Sequence, residues 1–316
     1  MMAAKPDVNL WVFNHPLRYI TEQVEFFCSA LRENGYRVKV SNRPSPSSLN
    51  VLIENFQTAA VGPVVEFCRA FEKRVAVILT EHLDFVDGQI LFHGTRLHSR
   101  DDYMLPMVKM ERLSNLMILR AQIRCFLRLG DLPKLINVEN MIPGIPVRTV
   151  PFPTVVPTDR SALDRPGGPD VDFAFTGQMT DYRKRILDRL RRDFKVLSGS
   201  DIVPRRRRDA MNARARLVLN IPQSPRWPWL STMRVLAALR CRRATLALGE
   251  CEESAITPSC LRLNEEELTS TRVRHALEHY EEEFRTRLAG YEALVRSGLN
   301  PPFPHGEFEL WASLEL

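Results

Sequence analysis

No apolar run in this chain approaches the ~20 residues that span a bilayer, so no transmembrane segment is expected. The opening residues, MMAAKPDVNLWVF, lack a charged stretch followed by a long apolar core, and no signal peptide is read there. None of the six cysteines (Cys28, Cys68, Cys125, Cys241, Cys251, Cys260) falls in a CxxC pair. That spacing argues against a disulfide framework or a structural zinc site, and predicts reduced, mostly buried thiols in a cytoplasmic protein. Also missing are H-E-x-x-H, a Ser/His/Asp order, a D-x-D cluster that stands out as a metal site, and any repeat of solenoid period. An acidic excess is lacking too. With 44 Lys and Arg against 38 Asp and Glu, the chain carries a net charge of +6 and a pI near 9.1. That balance suits an anionic partner: a nucleotide, a nucleic acid or a lipid surface.

What is present points to an α/β protein. The 316 residues suggest about two domains, and 44% hydrophobic with 26% charged residues is an ordinary globular composition. Apolar strand patterns are read at 10–13, 36–40, 50–53, 75–79, 126–129 and 148–150. Helical patterns lie between them, at 18–34 and 63–73, in 101–125 and at 132–138, with a polar loop at 84–98. Fully apolar strands alternating with helices predict a parallel sheet covered on both faces. A run of prolines and glycines between 151 and 169 reads as a linker. A second α/β unit begins at Val171 and closes with a charged helix over 265–297 and an aromatic tail. The expected division is residues 1–155, residues 170–298, and a tail, 299–316, packing back on the first domain.

The chemistry-bearing residues gather where strands end. In the second half, Phe175-Thr-Gly177 follows a strand and precedes a helix. A glycine there lets backbone approach a ligand, and the next helix presents free N–H groups to an anion. Arg183 stands in the first turn of that helix, where a cation is unfavourable unless an anion is also present. Arg234 occupies the same place in a later helix, with Ser231 or Thr232 as N-cap, and could bind a diphosphate in bidentate fashion. Asn220 ends a buried strand, where an amide can hold a ligand or tie a loop. Glu250 also ends a strand, and suits ribose or sugar hydroxyls. In the first half, His15, Glu54-Asn55, Glu81 and His82 stand at three strand ends. Histidine or a partly buried glutamate can supply the near-neutral pKa that a general base needs. Arg205 to Arg208 form a run of four arginines. Nucleic-acid binding is one reading of it, but no aromatic is interleaved, and the reading adopted is the solvated start of a helix. Trp227 and Trp229 lie in a proline-rich loop and either stack on a ligand or pin the loop.

The motifs, taken in order, resemble GT-B nucleotide-sugar glycosyltransferases, in particular bacterial family-1-type and CgeB-like members. They are Phe175-Thr-Gly177 with Arg183, Ala215-Arg-Leu-Val-Leu-Asn220-Ile221, Met233-Arg234-Val235, and Gly249-Glu250. In the first half, Asn50-Val-Leu-Ile and Leu79-Thr-Glu81-His82-Leu83 are similar to an N-[IV]-[IL] strand and an N-x-E-Q-L stretch of that group. Thr80 and His82 stand where that stretch has Asn and Gln. Ala237, Ala238 and Arg240 stand where the common E-x-x-x-x-G donor motif has its acid and glycine.

The resemblance implies two Rossmann-like domains with a cleft between them and a C-terminal helix. It implies no cofactor, no metal and a nucleoside-diphosphate sugar as donor, with Gly177, Arg183 and Arg234 around the diphosphate and Asn220 and Glu250 near sugar or ribose. Glu81, His82 or His15 would act as base or orienting group for an acceptor that is a glycan, a protein or a small molecule. The alternative readings are a non-catalytic binding or assembly protein of the same fold, and a nucleic-acid-binding protein using the arginine run.

Overall fold

The computed structural model describes residues 5–54, 56–100, 104–159, 168–199, 203–249 and 251–316. Asn55 and Glu250 lie outside the described residues. The chain forms two compact units: Met1–Pro153 with Pro301–Leu316, and Thr154–Asn300. Both are α/β, each built on a parallel sheet, and the Rossmann-like class expected from the sequence holds for both.

The first unit runs β1 (Val8–Trp11), α1 (Leu17–Glu33), β2 (Val38–Ser41), β3 (Leu49–Ile53), α2 (Thr58–Phe71) and β4 (Val75–Ile78). It continues with β5 (Leu83–Val86), β6 (Gln89–Phe92), β7 (Thr95–Arg96), α3 (Pro106–Ile118), β8 (Ile123–Leu129), β9 (Leu135–Ile136), α4 (Val138–Met141) and β10 (Val147–Val150). Six strands make one sheet in the order β10-β8-β4-β3-β1-β2, every pair parallel. Strands β3 and β4 are buried along their whole length, as continuous apolar runs in a two-sided sheet must be. One face packs Val64, Phe67, Leu113 and Leu116 of α2 and α3 against Leu52, Val75 and Val77.

The aromatic tail belongs to this unit. Its helix α10 (His305–Glu315) brings Phe308 against Tyr36, ring centroids 5.4 Å apart. The nearly buried Glu307 carboxylate bridges Arg124 at 3.1 Å and Arg148 at 3.0 Å.

Residues 84–98 differ from the loop expected of them. Strands β5 and β6 form a hairpin whose turn is Asp87-Gly88, with φ of +50° and +72°. A second tight turn, His93-Gly94 at +54° and +69°, joins β6 to β7. Asp-Gly with both residues left-handed is the favoured two-residue hairpin turn, because its twist matches that of the flanking strands. The signal was in the sequence, and the polar composition masked it. Residues 135–136, read as part of a short helix, instead pair with β5 in this small sheet.

The second unit runs β11 (Val171–Phe175), α5 (Asp181–Leu190), β12 (Val196–Ser198), α6 (Arg205–Arg214), β13 (Ala215–Asn220), α7 (Thr232–Arg240), β14 (Ala244–Leu248), β15 (Cys260–Leu263), α8 (Thr271–Glu278) and α9 (Tyr280–Arg296). Its sheet order is β12-β11-β13-β14-β15, again all parallel. The single charged helix expected over 265–297 is in fact a short 3-10 turn and two helices. A reciprocal pair opens the segment: the Asn264 side chain accepts from the Glu267 N–H, and the Glu267 carboxylate accepts from the Asn264 N–H, both at 2.9 Å. The second break falls at His279, which departs from helical geometry at φ −110°, ψ 33°.

All six cysteines are buried and reduced. Among the described residues no helix is long and apolar enough to cross a membrane, and no group of three or more His, Cys, Asp or Glu side chains could hold a metal ion.

Candidate functional site

In chain order the second sheet reads 2-1-3-4-5, so the direction of winding reverses between β11 and β13. Ligands of open α/β sheets bind beyond the carboxyl ends of the strands at such a reversal. Gly177 follows β11, Asn220 ends β13, and Arg234 stands in the first turn of α7, the helix that follows β13. The fold brings these three side by side. The Asn220 Oδ1 accepts from Arg234 Nη1 at 3.1 Å, and its Nδ2 donates to the Ser231 carbonyl at 3.2 Å. The Arg234 guanidinium also lies 5.2 Å from the centre of the Phe175 ring. A Cβ on Gly177 would stand 2.6 Å from Arg234 Nη2. Gly177 is therefore explained by close approach rather than by a left-handed turn.

Arg183 is placed otherwise than the sequence suggested. Its backbone N–H is capped by Thr180 Oγ1 at 3.3 Å, and Asp181 supplies the acidic residue that the helix start favours. Arg183 is only 4% exposed, and its guanidinium turns inward. Nε and Nη2 donate to the Ile221 carbonyl at 3.0 and 2.8 Å, Nε also to the Pro222 carbonyl at 3.2 Å, and Nη1 to the Gln178 carbonyl and Gln223 Oε1 at 2.7 and 2.9 Å. The cation that looked misplaced without a bound anion is satisfied by carbonyl oxygens. It braces the strand-end loops against each other.

The rest of the loop is aromatic. Trp227 and Trp229 meet edge to face at 4.9 Å, with Trp229 buried. The arginine run does open a helix, but its four members divide. Arg206 and Arg207 are exposed, Arg205 pairs with Asp209 at 3.4 Å, and Arg208 is buried.

In the first unit the chain-order reading of the six strands is 2-1-3-4-5-6, with the reversal between β1 and β3. His15, Glu54, Glu81 and His82 all follow strands at this carboxyl edge. Their organiser, Arg112 on α3, escaped the sequence reading. Arg112 forks onto Glu54, with Nε to Oε1 at 2.9 Å and Nη2 to Oε2 at 2.6 Å. Its Nη1 reaches Glu81 Oε1 at 2.8 Å. The other Glu81 oxygen takes His93 Nε2 at 2.7 Å. Thr80 Oγ1 adds a bond to Glu54 Oε2 at 3.0 Å. Lys109, Arg112, Leu113 and Leu116 are all buried on one face of α3. Charged residues at core positions of a periodic pattern were the legible sign that this helix serves a polar cluster.

The cluster sets the protonation of its members. Burial pushes the Glu54 carboxyl up, against the pull of Arg112. Burial pushes Glu81 the same way, but Arg112 and His93 outweigh it and hold Glu81 well below the usual carboxylate range. Burial drives His82 down to about 3, helped by the charge of His93. The His82 Nδ1 accepts the Lys134 N–H at 2.8 Å, so His82 is a neutral ring tied to the backbone. Burial also lowers His15. The His15 Nε2 lies 3.3 Å from the Glu54 carbonyl. A carbonyl can only accept, so Nε2 carries the hydrogen and the lone pair sits on Nδ1. No hydrogen bond among the described residues engages that nitrogen.

No protein-family model and no curated protein sequence matches the chain. Several solved structures are similar to it at low identity. A UDP-forming α,α-trehalose-phosphate synthase from Burkholderia xenovorans aligns over 94% of this chain and 77% of its own, with 10% identity and a TM-score of 0.43. An α1,3-fucosyltransferase aligns over 99% and 90%, at 9% identity and a TM-score of 0.39. The trehalose-phosphate synthase from Burkholderia vietnamiensis aligns over 94% and 74%, at 10% identity and a TM-score of 0.42. Likenesses this distant transfer no residue's role to this chain.

Proposed function

We propose that this protein is a GT-B glycosyltransferase that moves a sugar from a nucleoside-diphosphate sugar to a hydroxyl acceptor without a bound metal. The observation that carries the reading is the Gly177–Asn220–Arg234 constellation at the strand reversal of the second sheet. A guanidinium held by an amide beside the start of a helix matches a diphosphate in charge and in geometry. When the sugar–phosphate bond breaks, negative charge grows on the departing diphosphate. A cation already oriented toward it lowers the barrier.

Asn220 orients Arg234, and Arg183 braces the loop that leads from one to the other. Glu250 keeps its proposed place near ribose or sugar hydroxyls. The first unit carries the acceptor. Of the three candidates for the base, His15 fits best, because no hydrogen bond among the described residues engages its Nδ1 lone pair and burial favours the neutral ring. Glu81 is a fixed anion suited to orienting a hydroxyl, and His82 is tied to the backbone. The buried thiols are in keeping with a cytoplasmic location.

The arginine run is a poor nucleic-acid surface, since Arg205 is ion-paired and Arg208 is buried. A non-catalytic binding protein of the same fold is favoured by one observation, the low proton affinity of Glu81 and His82. Thermal denaturation in the presence of each common nucleotide sugar tests both readings. Binding by the wild type, lost in Arg234→Ala while the variant stays folded, supports the donor site. Protection without turnover on any acceptor supports the binding protein. No protection by any nucleotide or nucleotide sugar sinks the enzyme reading at its first step.

A further inference from the structure

We infer that His93 is a proton-operated latch. As an imidazolium it fastens the β5–β6–β7 hairpin to the carboxyl edge of the first sheet through Glu81, and on losing its proton it lets the hairpin loosen there.

The hairpin grows directly from that edge, since β5 begins two residues after Glu81. Its apolar side, Leu83 and Phe92, joins the core of the unit, and two polar contacts of His93 fasten its second turn to the strand-end residues Glu81 and His82. The His93 backbone N–H donates to the His82 carbonyl at 3.0 Å, and the His93 ring donates to Glu81 Oε2 at 2.7 Å. His93 itself stands in a left-handed turn at φ +54°. Its side chain is 1% exposed and that of Glu81 is 15% exposed.

Charge counting leaves one proton to place, and although burial favours Glu54, both Glu54 oxygens already accept from Arg112 and Thr80, which leaves His93 to carry it. Glu54 and Glu81 bring two negative charges into a dry cluster, and Arg112 brings one positive charge. Both carboxylates bond the same guanidinium, at 2.6 and 2.8 Å. With a neutral His93 the cluster keeps one uncompensated negative charge, and buried charge without a partner is strongly disfavoured. An imidazolium cancels it.

The other titratable or charged groups facing the ring, among the described residues, are few. His82 lies edge-on, ring centroids 6.3 Å apart, and is neutral. Lys134 lowers the proton affinity of His82 and donates its backbone N–H to the His82 Nδ1. His15 feels Arg112 and Glu81 and is held neutral by burial. Lys109 of α3 holds the next part of the hairpin, donating to Thr95 Oγ1 at 3.4 Å and the Ser99 carbonyl at 3.1 Å. Among the described residues, Arg112 and His93 are the groups that lower Glu81.

Amide hydrogen exchange on the full chain tests the latch, with protection corrected for the intrinsic pH dependence of exchange. Across about pH 5 to about pH 9, which brackets an ordinary histidine, protection of the β5–β7 amides should fall by about tenfold or more, the least expected when a buried ion pair loses a charge. Amides of α9 in the second unit should not change. His93→Gln, a neutral donor that cannot titrate, should give a hairpin whose protection does not vary with pH. A hairpin equally protected at both ends of the range in the wild type, or one that loosens identically in His93→Gln, overturns the proposal. If His93→Gln does not fold, the wild-type ring is followed by NMR. A His93 signal that titrates together with hairpin loosening supports the latch. A ring that stays neutral throughout overturns it, because the compensating proton would then sit on Glu54.

Discussion

Arg234 occupies the space that a side chain on Gly177 would need: its Nη2 lies 2.6 Å from where a Cβ would stand. Gly177 does not have a left-handed φ, so alanine is compatible with its backbone. The obstacle is the far end of a flexible side chain, which can swing away. Gly177→Ala is therefore expected to fold with near-wild-type stability and to displace the guanidinium from Asn220. Affinity for a nucleoside diphosphate should fall by about tenfold or more, the scale of one lost charge-assisted hydrogen bond. Isothermal titration with the best-binding nucleotide sugar measures it. Unchanged affinity would mean that Arg234 does not face the phosphates.

Arg183 predicts the opposite pattern. Removing its guanidinium strips the Ile221, Pro222 and Gln178 carbonyls of their donor in a buried setting. Arg183→Met should cost about 2–4 kcal/mol, from several hydrogen bonds to a charged donor lost together. Lys184→Ala, an exposed neighbour on the same helix, should stay within about 0.5 kcal/mol of the wild type. Chemical denaturation of both variants separates them. If Arg183→Met were as stable as Lys184→Ala but failed to bind nucleotide, Arg183 would return to the phosphate site.

These two arginines show what the sequence could and could not disclose. Both stand in a first helical turn after a strand, and position alone made them equivalent. Strand alternation disclosed the α/β class because burial on both faces leaves a continuous apolar run, as in β3, β4 and β14. It did not disclose which way a long side chain turns. That depends on the loop after β13, whose carbonyls Arg183 meets 38 residues further along the chain. The same holds for Arg112, which joins Glu54 across 58 positions and Glu81 across 31. His93 was hidden for a different reason. Its position depends on two tight turns inside a stretch whose polarity suggested a loop.

Removing Arg112 should shift the stability that its cluster contributes toward acid pH. In the wild type Glu81 is depressed by Arg112 and His93, so its contribution is present above the ordinary carboxylate range and is lost as pH falls through it. Without the guanidinium, Glu54, already raised by burial, rises further above its unfolded value, while His93 still acts to lower Glu81. The folded form of Glu54 then binds more protons than the unfolded chain, and its contribution to stability rises as pH falls. Arg112→Met is expected to be about 3–5 kcal/mol less stable near neutral pH, the cost of breaking a buried pair, and to recover part of that loss near pH 4.5. Urea unfolding at the two pH values checks the recovery. A deficit that does not vary with pH would show that the lost stability comes from packing, not charge.

His82 gives a prediction read from its own titration by difference. Burial holds its ring at about 3 in the folded protein, against 6.5 for an ordinary histidine. Between those values the unfolded chain binds a proton that the folded chain refuses. Stability therefore rises with pH across this window, by up to about 1.4 kcal/mol per unit for one group, and the gain is complete above the unfolded value. His15, also lowered by burial, adds a slope of the same sign, so the measurement is a difference. His82→Gln keeps an acceptor for the Lys134 N–H without a titrating ring. The slope of unfolding free energy between about pH 4 and about pH 6 should be shallower in the variant by roughly one proton's worth. Equal slopes in the two proteins would mean that His82 is protonated in the fold and that the Lys134 N–H does not hold its Nδ1 lone pair.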